Sequence, residues 1–135
     1  MRSVYTSIVV AVDGRMRHVH MIRLRRAYDA RARDDGTRFL VDRIWPRGVR
    51  KDELDIAAWP KEVAPSTGLR QWFGHNPERW NEFQRRYRSE LASHQDALVP
   101  LLDAARRGNV TLVYGARDTQ HNQAVVLKQV LDEHL

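Results

Sequence analysis

The stretch "VTLVYG" (residues 110–115) constrains this chain more than any other part of it. It is a nearly continuous apolar run following Gly108 and closed by Gly115. A strand with one solvated face alternates apolar and polar residues. An unbroken run fits a strand buried on both faces, the kind found in parallel sheets. Helical patterns stand on either side of it. "ALVPLLDAARR" ends at Gly108, and a last helix capped by Thr119 turns Ala124, Val125, Leu127, Val130 and Leu131 inward.

A second strand is expected over 37–45, "TRFLVDRIW", after the turn signal Asp34-Asp35-Gly36. The two prolines of "IAAWPKEVAPS" (56–66) indicate an extended or edge segment. The middle of the chain reads as helical. Ser66 or Thr67 caps a short helix that stops at Gly74, and Asn76-Pro77 starts the next. Trp80, Phe83, Tyr87 and Leu91 then form a core-facing stripe, with Glu82 and Arg86 paired on the solvated side. Pro100 is accommodated if Asp96 caps a new helix, because the first four helical N–H groups lack partners anyway. Together these segments predict an α/β fold. It is a single compact domain with a small, mainly parallel sheet flanked by helices in two or three layers.

At the N-terminus, residues 8–12 read as a strand and Asp13-Gly14 as a hairpin turn. The strand-like pattern becomes regular at Met21, so residues 1–20 are read as an extension or arm and 21–135 as the α/β domain.

Several function classes are excluded. The chain has no cysteine, which removes disulfides, iron–sulfur clusters, thiolate zinc sites and a cysteine nucleophile. No apolar run is long enough to cross a bilayer, and "SIVVAV" (7–12) is too short for a signal-peptide core, so the chain is read as cytoplasmic with no membrane partner. Nothing indicates a cofactor. His18 and His20 share a strand face, but no third ligand stands near them in sequence and no metal is expected.

The charge is uneven. Residues 15–50 hold eleven arginines against four aspartates, whereas 51–135 are close to neutral. Such a segment attracts an anion or nucleic acid. With twenty arginines and three lysines in the whole chain, it equally fits a solvated, arginine-rich surface.

Ligands of open α/β sheets bind beyond the carboxyl ends of the strands. Two stretches would stand there: "RIWPRG" (43–48) and "GARDTQHN" (115–122). Strand alternation would put Arg43 and Trp45 on one face. If the two strands are parallel neighbours, Arg43, Arg47 and Arg117 crowd one edge and repel unless something negative lies between them. Asp42 and Asp118 are one answer. A bound anion is the other, with Trp45 as a flat wall for a base or guanidinium. His121 and Asn122 would sit in the first turn of the last helix. His121, Asp118 and His75, the last in the turn "WFGHNPERW" (72–80), are the candidates for proton transfer; Asp118 and His75 have an ordinary capping role as their alternative. No phosphate-binding glycine loop or nucleophile elbow is present.

The stretches VDRIWPRG, APSTGLRQWFGH, PERW and YGARD with HNQA resemble the YeaO-like proteins, small bacterial proteins grouped as a domain of unknown function. The resemblance covers roughly residues 21–134. It implies no activity, cofactor or catalytic residue. More distant members carry cysteine and histidine where this chain has Tyr114 and the His121-Asn122-Gln123 run, so no thiol or metal role transfers. Three readings stand. The chain binds a small phosphorylated or carboxylated ligand at the carboxyl edge of its sheet, with or without catalysis. It binds nucleic acid or assists a regulator through the basic 15–50 segment. Or it acts through a protein partner, with Trp59 as an anchor. Sequence leaves the oligomeric state and strand order open.

Overall fold

A computed structural model describes residues 7–12 and 15–135, with side chains from Met21 onward. The central strand is β5 (Val110–Tyr114), buried along its whole length. It lies between β3 (Ile22–Arg26) and β4 (Thr37–Leu40), and both neighbours are parallel to it. The unbroken apolar run is therefore the middle of a three-stranded parallel sheet. β1 (Ser7–Val12) and β2 (Arg15–His20) form a separate antiparallel pair with Val12 opposite Arg15. The expected Asp13-Gly14 turn and the side chains of His18 and His20 lie outside the described residues.

Alternation along the strands divides the core. Ile22, Phe39, Val110, Leu112 and Tyr114 join the buried side chains of four helices. These are α1 (Thr67–Phe73), α2 (Trp80–Ser93), α3 (Gln95–Arg107) and α4 (Gln123–His134). Leu40 and Val113 meet Ala27, Leu54 and the partly buried Trp45, Val49, Ile56 and Trp59 in a second cluster. Irregular chain, not a helix, thus supplies the apolar cover beside β4 and β5 there. Nearby, Asp35 is 0% exposed and accepts hydrogen bonds from Arg25 and Arg38. Burial works against its charge, and the two guanidinium groups more than offset this, holding its carboxyl below the usual range.

The caps explain the helix boundaries. Ser66 Oγ accepts from the Leu69 N–H at 3.1 Å, and Gly74 ends α1 in the left-handed region at φ 54°. Asn76 Oδ1 accepts from the Glu78 N–H at 3.0 Å, ahead of a 3-10 turn that leads into α2. Phe83, Tyr87 and Leu91 are buried as the stripe predicts, and Glu82 pairs with Arg86 and also Arg85.

Three boundaries differ from expectation. β4 stops at Leu40, not at residue 45, and it is an edge strand: the 57–58 backbone runs beside it, with the Leu40 N–H donating to Ala58 O at 3.1 Å. Arg43 and Trp45 consequently stand in a loop and not on a strand face. α3 begins at Gln95, so Pro100 is its sixth residue and lies inside the helix instead of in its unpaired first turn. α4 is capped by Asn122 and not by Thr119: the Asn122 Oδ1 accepts from the Val125 N–H at 3.2 Å, and His121 and Asn122 precede the helix. With the register so moved, Val126 is buried in place of Val125.

Among the described residues, no helix is long and apolar enough to cross a membrane.

Candidate functional site

Because β4 and β5 are parallel, the loops that follow them leave from the same edge. Val41 still donates its N–H to Val113 O at 2.9 Å, which carries Asp42 up against Gly115. There the Gly115 N–H donates to Asp42 Oδ2 at 2.9 Å, and the Gln123 side-chain amide donates to Oδ1. A Cβ at position 115 would stand 2.9 Å from that carboxylate oxygen, so a larger residue there would have to push the Asp42 side chain aside. Asp42 is partly buried and has no ion-pair partner within contact among the described residues. Burial pushes its pKa up to about 6 against the opposing pull of Gly115, Gln123 and the charge of Arg70.

A cavity of about 740 Å³ opens at this edge. The loop after β4 contributes Asp42, Arg43, Trp45 and Arg47. The loop after β5 contributes Gly115, Arg117 and Asp118, with Asn122 and Gln123 at the start of α4. Arg70, Phe73 and His75 come from α1 and its exit, and Tyr28 from the chain after β3. Supporting contacts hold these loops. Arg26 Nε donates to Ala116 O at 2.9 Å, Tyr28 Oη donates to Arg47 O at 2.8 Å, and Trp45 Nε1 donates to Val49 O at 2.6 Å. The Trp45 and Trp59 rings meet edge to face at 5.3 Å.

The predicted residues differ in how far the fold already engages them. Arg47 and Arg117 line the cavity, are exposed, and among the described residues their guanidinium groups form no ion pair or hydrogen bond. Arg43 lines the cavity too, but Nε donates to Pro65 O at 2.8 Å and Nη2 to Ala64 O at 3.2 Å, so it also fastens the loop to the chain before α1. Asp118 accepts from the backbone N–H groups of Gln120 and His121, at 2.9 and 3.0 Å, and from His121 Nδ1 at 2.8 Å. Those contacts, the Gln120 N–H first, hold its carboxyl below the usual range. His121 itself does not line the cavity; its ring lies edge-on to Trp80 at 5.3 Å, and it reaches the cavity only through Asp118. His75 does line it, from a left-handed backbone at φ 55° that is uncommon outside glycine. Asn122 is 1% exposed and spends its side chain on the α4 cap and on Asp118 O at 2.9 Å.

Sequence reasoning missed Asp42 as a floor residue, and missed Arg70, Gln123 and Tyr28 altogether. Asp42 meets Gly115 and Gln123 across more than 70 positions, a contact with no local signal. Trp59 is partly buried, its Nε1 donates to Asp42 O at 2.6 Å, and Lys61 lies over its ring at 4.1 Å.

A three-stranded parallel sheet under four helices, with a cation-lined cavity at its carboxyl edge, defines a small α/β protein. The chain belongs to the YeaO-like family, and a family model described as "Inactive DUF488-N3 subclade" matches residues 21–135. An uncharacterised protein of Mycobacterium tuberculosis (strain ATCC 25618 / H37Rv) is 45% identical over 111 residues, covering 82% of this chain and 93% of the relative. An uncharacterised Mycobacterium bovis protein matches to the same extent. YeaO of Escherichia coli (strain K12) is 42% identical over 106 residues, covering 78% of this chain and 92% of its own. No solved structure matches the chain.

Proposed function

We propose that the protein binds a small phosphorylated or carboxylated ligand in the cavity at the carboxyl edge of its sheet. One observation carries this reading: Arg47 and Arg117, from two distant segments, line one cavity and, among the described residues, have no ion pair or hydrogen bond to their guanidinium groups. A guanidinium fork with open donors suits phosphate and carboxylate. The cavity volume falls within the range of small-molecule sites, about 300–1,000 Å³. The word "inactive" in the description of the matching subclade favours binding without turnover. Were there proton transfer, Asp118 and His75 are the candidates that line the cavity.

Nucleic-acid binding through residues 15–50 is the weaker reading. Arg23, Arg25 and Arg38 pair with Asp34 and Asp35, Arg31 with Asp55, and Arg26 and Arg43 bond backbone carbonyls. Among the described residues, six of that segment's arginines thus have their guanidinium groups engaged within the fold.

A thermal-shift screen of sugar phosphates, nucleotides and carboxylates is the test. A true ligand at 100 times its dissociation constant adds about 2.7 kcal/mol of stability. The combined Arg47→Ala and Arg117→Ala variant should lose that gain while its unliganded melting temperature stays within a few degrees. A hit that stabilises this variant as strongly as the parent removes the assigned site.

A further inference from the structure

The cavity is not uniformly cationic. Asp118 is held by Gln120 and His121, so the cavity's arginines sit with one carboxylate that is only partly engaged, Asp42, and with the aromatic rings of Trp45 and Tyr28. A bare inorganic anion would gain nothing from the rings and would be repelled by the carboxylate. A ligand that uses all three features carries an anionic group, a flat face and hydrogen-bond donors.

The donors can be specified. Each carboxylate oxygen has two acceptor positions. Gly115 occupies one on Oδ2 and Gln123 one on Oδ1, which leaves one on each. Two adjacent oxygens that only accept call for two adjacent donors that only donate. Among the nucleobases, guanine presents such a pair side by side, its ring N1–H and its exocyclic amino group. On the corresponding edge of adenine or cytosine a donor stands beside an acceptor, and a ring nitrogen there would face the carboxylate lone pair to lone pair. Tyr28, which is exposed, and Trp45, which is partly buried, are planar rings of the kind that partner a base face, whereas Phe73 is buried and stacked on Phe83.

We propose that the cavity takes a guanine nucleotide, with the N1–H and amino group on Asp42, the ring against the aromatic side chains, and the phosphate on Arg47 and Arg117. This assignment rests on the anion-binding reading above and specifies its ligand class.

Calorimetric titration of the full chain with guanosine, inosine and adenosine monophosphates and with ribose 5-phosphate tests it. Guanosine monophosphate should bind at least about tenfold more tightly than adenosine monophosphate and ribose 5-phosphate, the discrimination expected of one bidentate base contact. Inosine monophosphate, which lacks the amino group, should fall between. Asp42→Asn should bring the guanosine-to-adenosine affinity ratio down toward one. Should that variant fail to fold, the guanosine–inosine comparison on the parent chain still decides. Equal affinity for ribose 5-phosphate and guanosine monophosphate, or a preference for adenosine, overturns the guanine assignment and leaves the anion site standing. No binding by any of the four overturns the guanine assignment, and the anion site falls with it if the thermal-shift screen also gives no hit.

Discussion

Asp42 and Gly115 stand at the carboxyl ends of neighbouring parallel strands and are joined by one hydrogen bond of 2.9 Å between backbone N–H and carboxylate. This bond closes the floor of the cavity, and it depends on the protonation state of a partly buried acid. The Asp42 pKa is raised from 3.8 to about 6, so the native chain holds a proton there that the unfolded chain has released. Between about pH 4 and 6 the unfolded state binds fewer protons, and stability falls as pH rises.

The parent chain should therefore lose stability relative to Asp42→Asn as pH climbs from about 4 to about 6, and hold level above that. The total is at most about 3 kcal/mol, reduced by solvent at the cavity mouth. Denaturant melts of both proteins at half-unit pH steps give the difference curve. A flat curve would show that burial does not govern this acid.

Gly36 has φ 67°, and a Cβ built on it would lie 1.9 Å from the Asn109 carbonyl oxygen. That oxygen already accepts the Thr37 N–H at 2.9 Å, so the clash falls where β4 begins to pair with β5. Two penalties coincide, left-handed backbone and backbone overlap. Gly36→Ala should cost at least about 3 kcal/mol, whereas Gly68→Ala, which has open space around it, serves as the control. A urea midpoint for Gly36→Ala near that of the parent would refute this.

Asp35 and Arg38 are 0% and 4% exposed. Asp35→Asn leaves the Arg38 guanidinium buried beside a neutral amide, and breaking such a pair costs about 3–5 kcal/mol. Replacing both residues with apolar groups should recover most of the loss. Equilibrium unfolding of the single and double variants checks it, and a loss below 1 kcal/mol in the single variant would count against the argument from burial.

The features legible in sequence were those whose cause is local. Ser66, Gly74 and Asn76-Pro77 each act within four residues, and the apolar run of β5 announces its own burial. Asn122 was passed over because Asp118, Thr119 and Asn122 are all competent caps within five positions, and only tertiary contact selects one. Asp118 instead closes a turn through Gln120 and His121. The end of β4 was misplaced because apolar Ile44 and Trp45 follow Asp42; Trp45 is buried in part by Trp59, which no alternation pattern could reveal. The pairing of Arg47 with Arg117 at one edge followed from a general property of parallel sheets. The committed state of Arg43 did not, since carbonyl partners leave no mark in a sequence.

The order of the strands also sets when the protein can assemble. β3 and β4 come early in the chain but never touch one another as a pair; each waits for β5, which arrives some 70 to 90 residues later. Until residues 110–114 leave the ribosome, both early strands have open edges and no partner in the sheet. Loop closure over such separations is slow, and unsatisfied edges invite association with other chains. A translational stall before Val110 would thus release a fragment with helices able to form and a sheet that cannot.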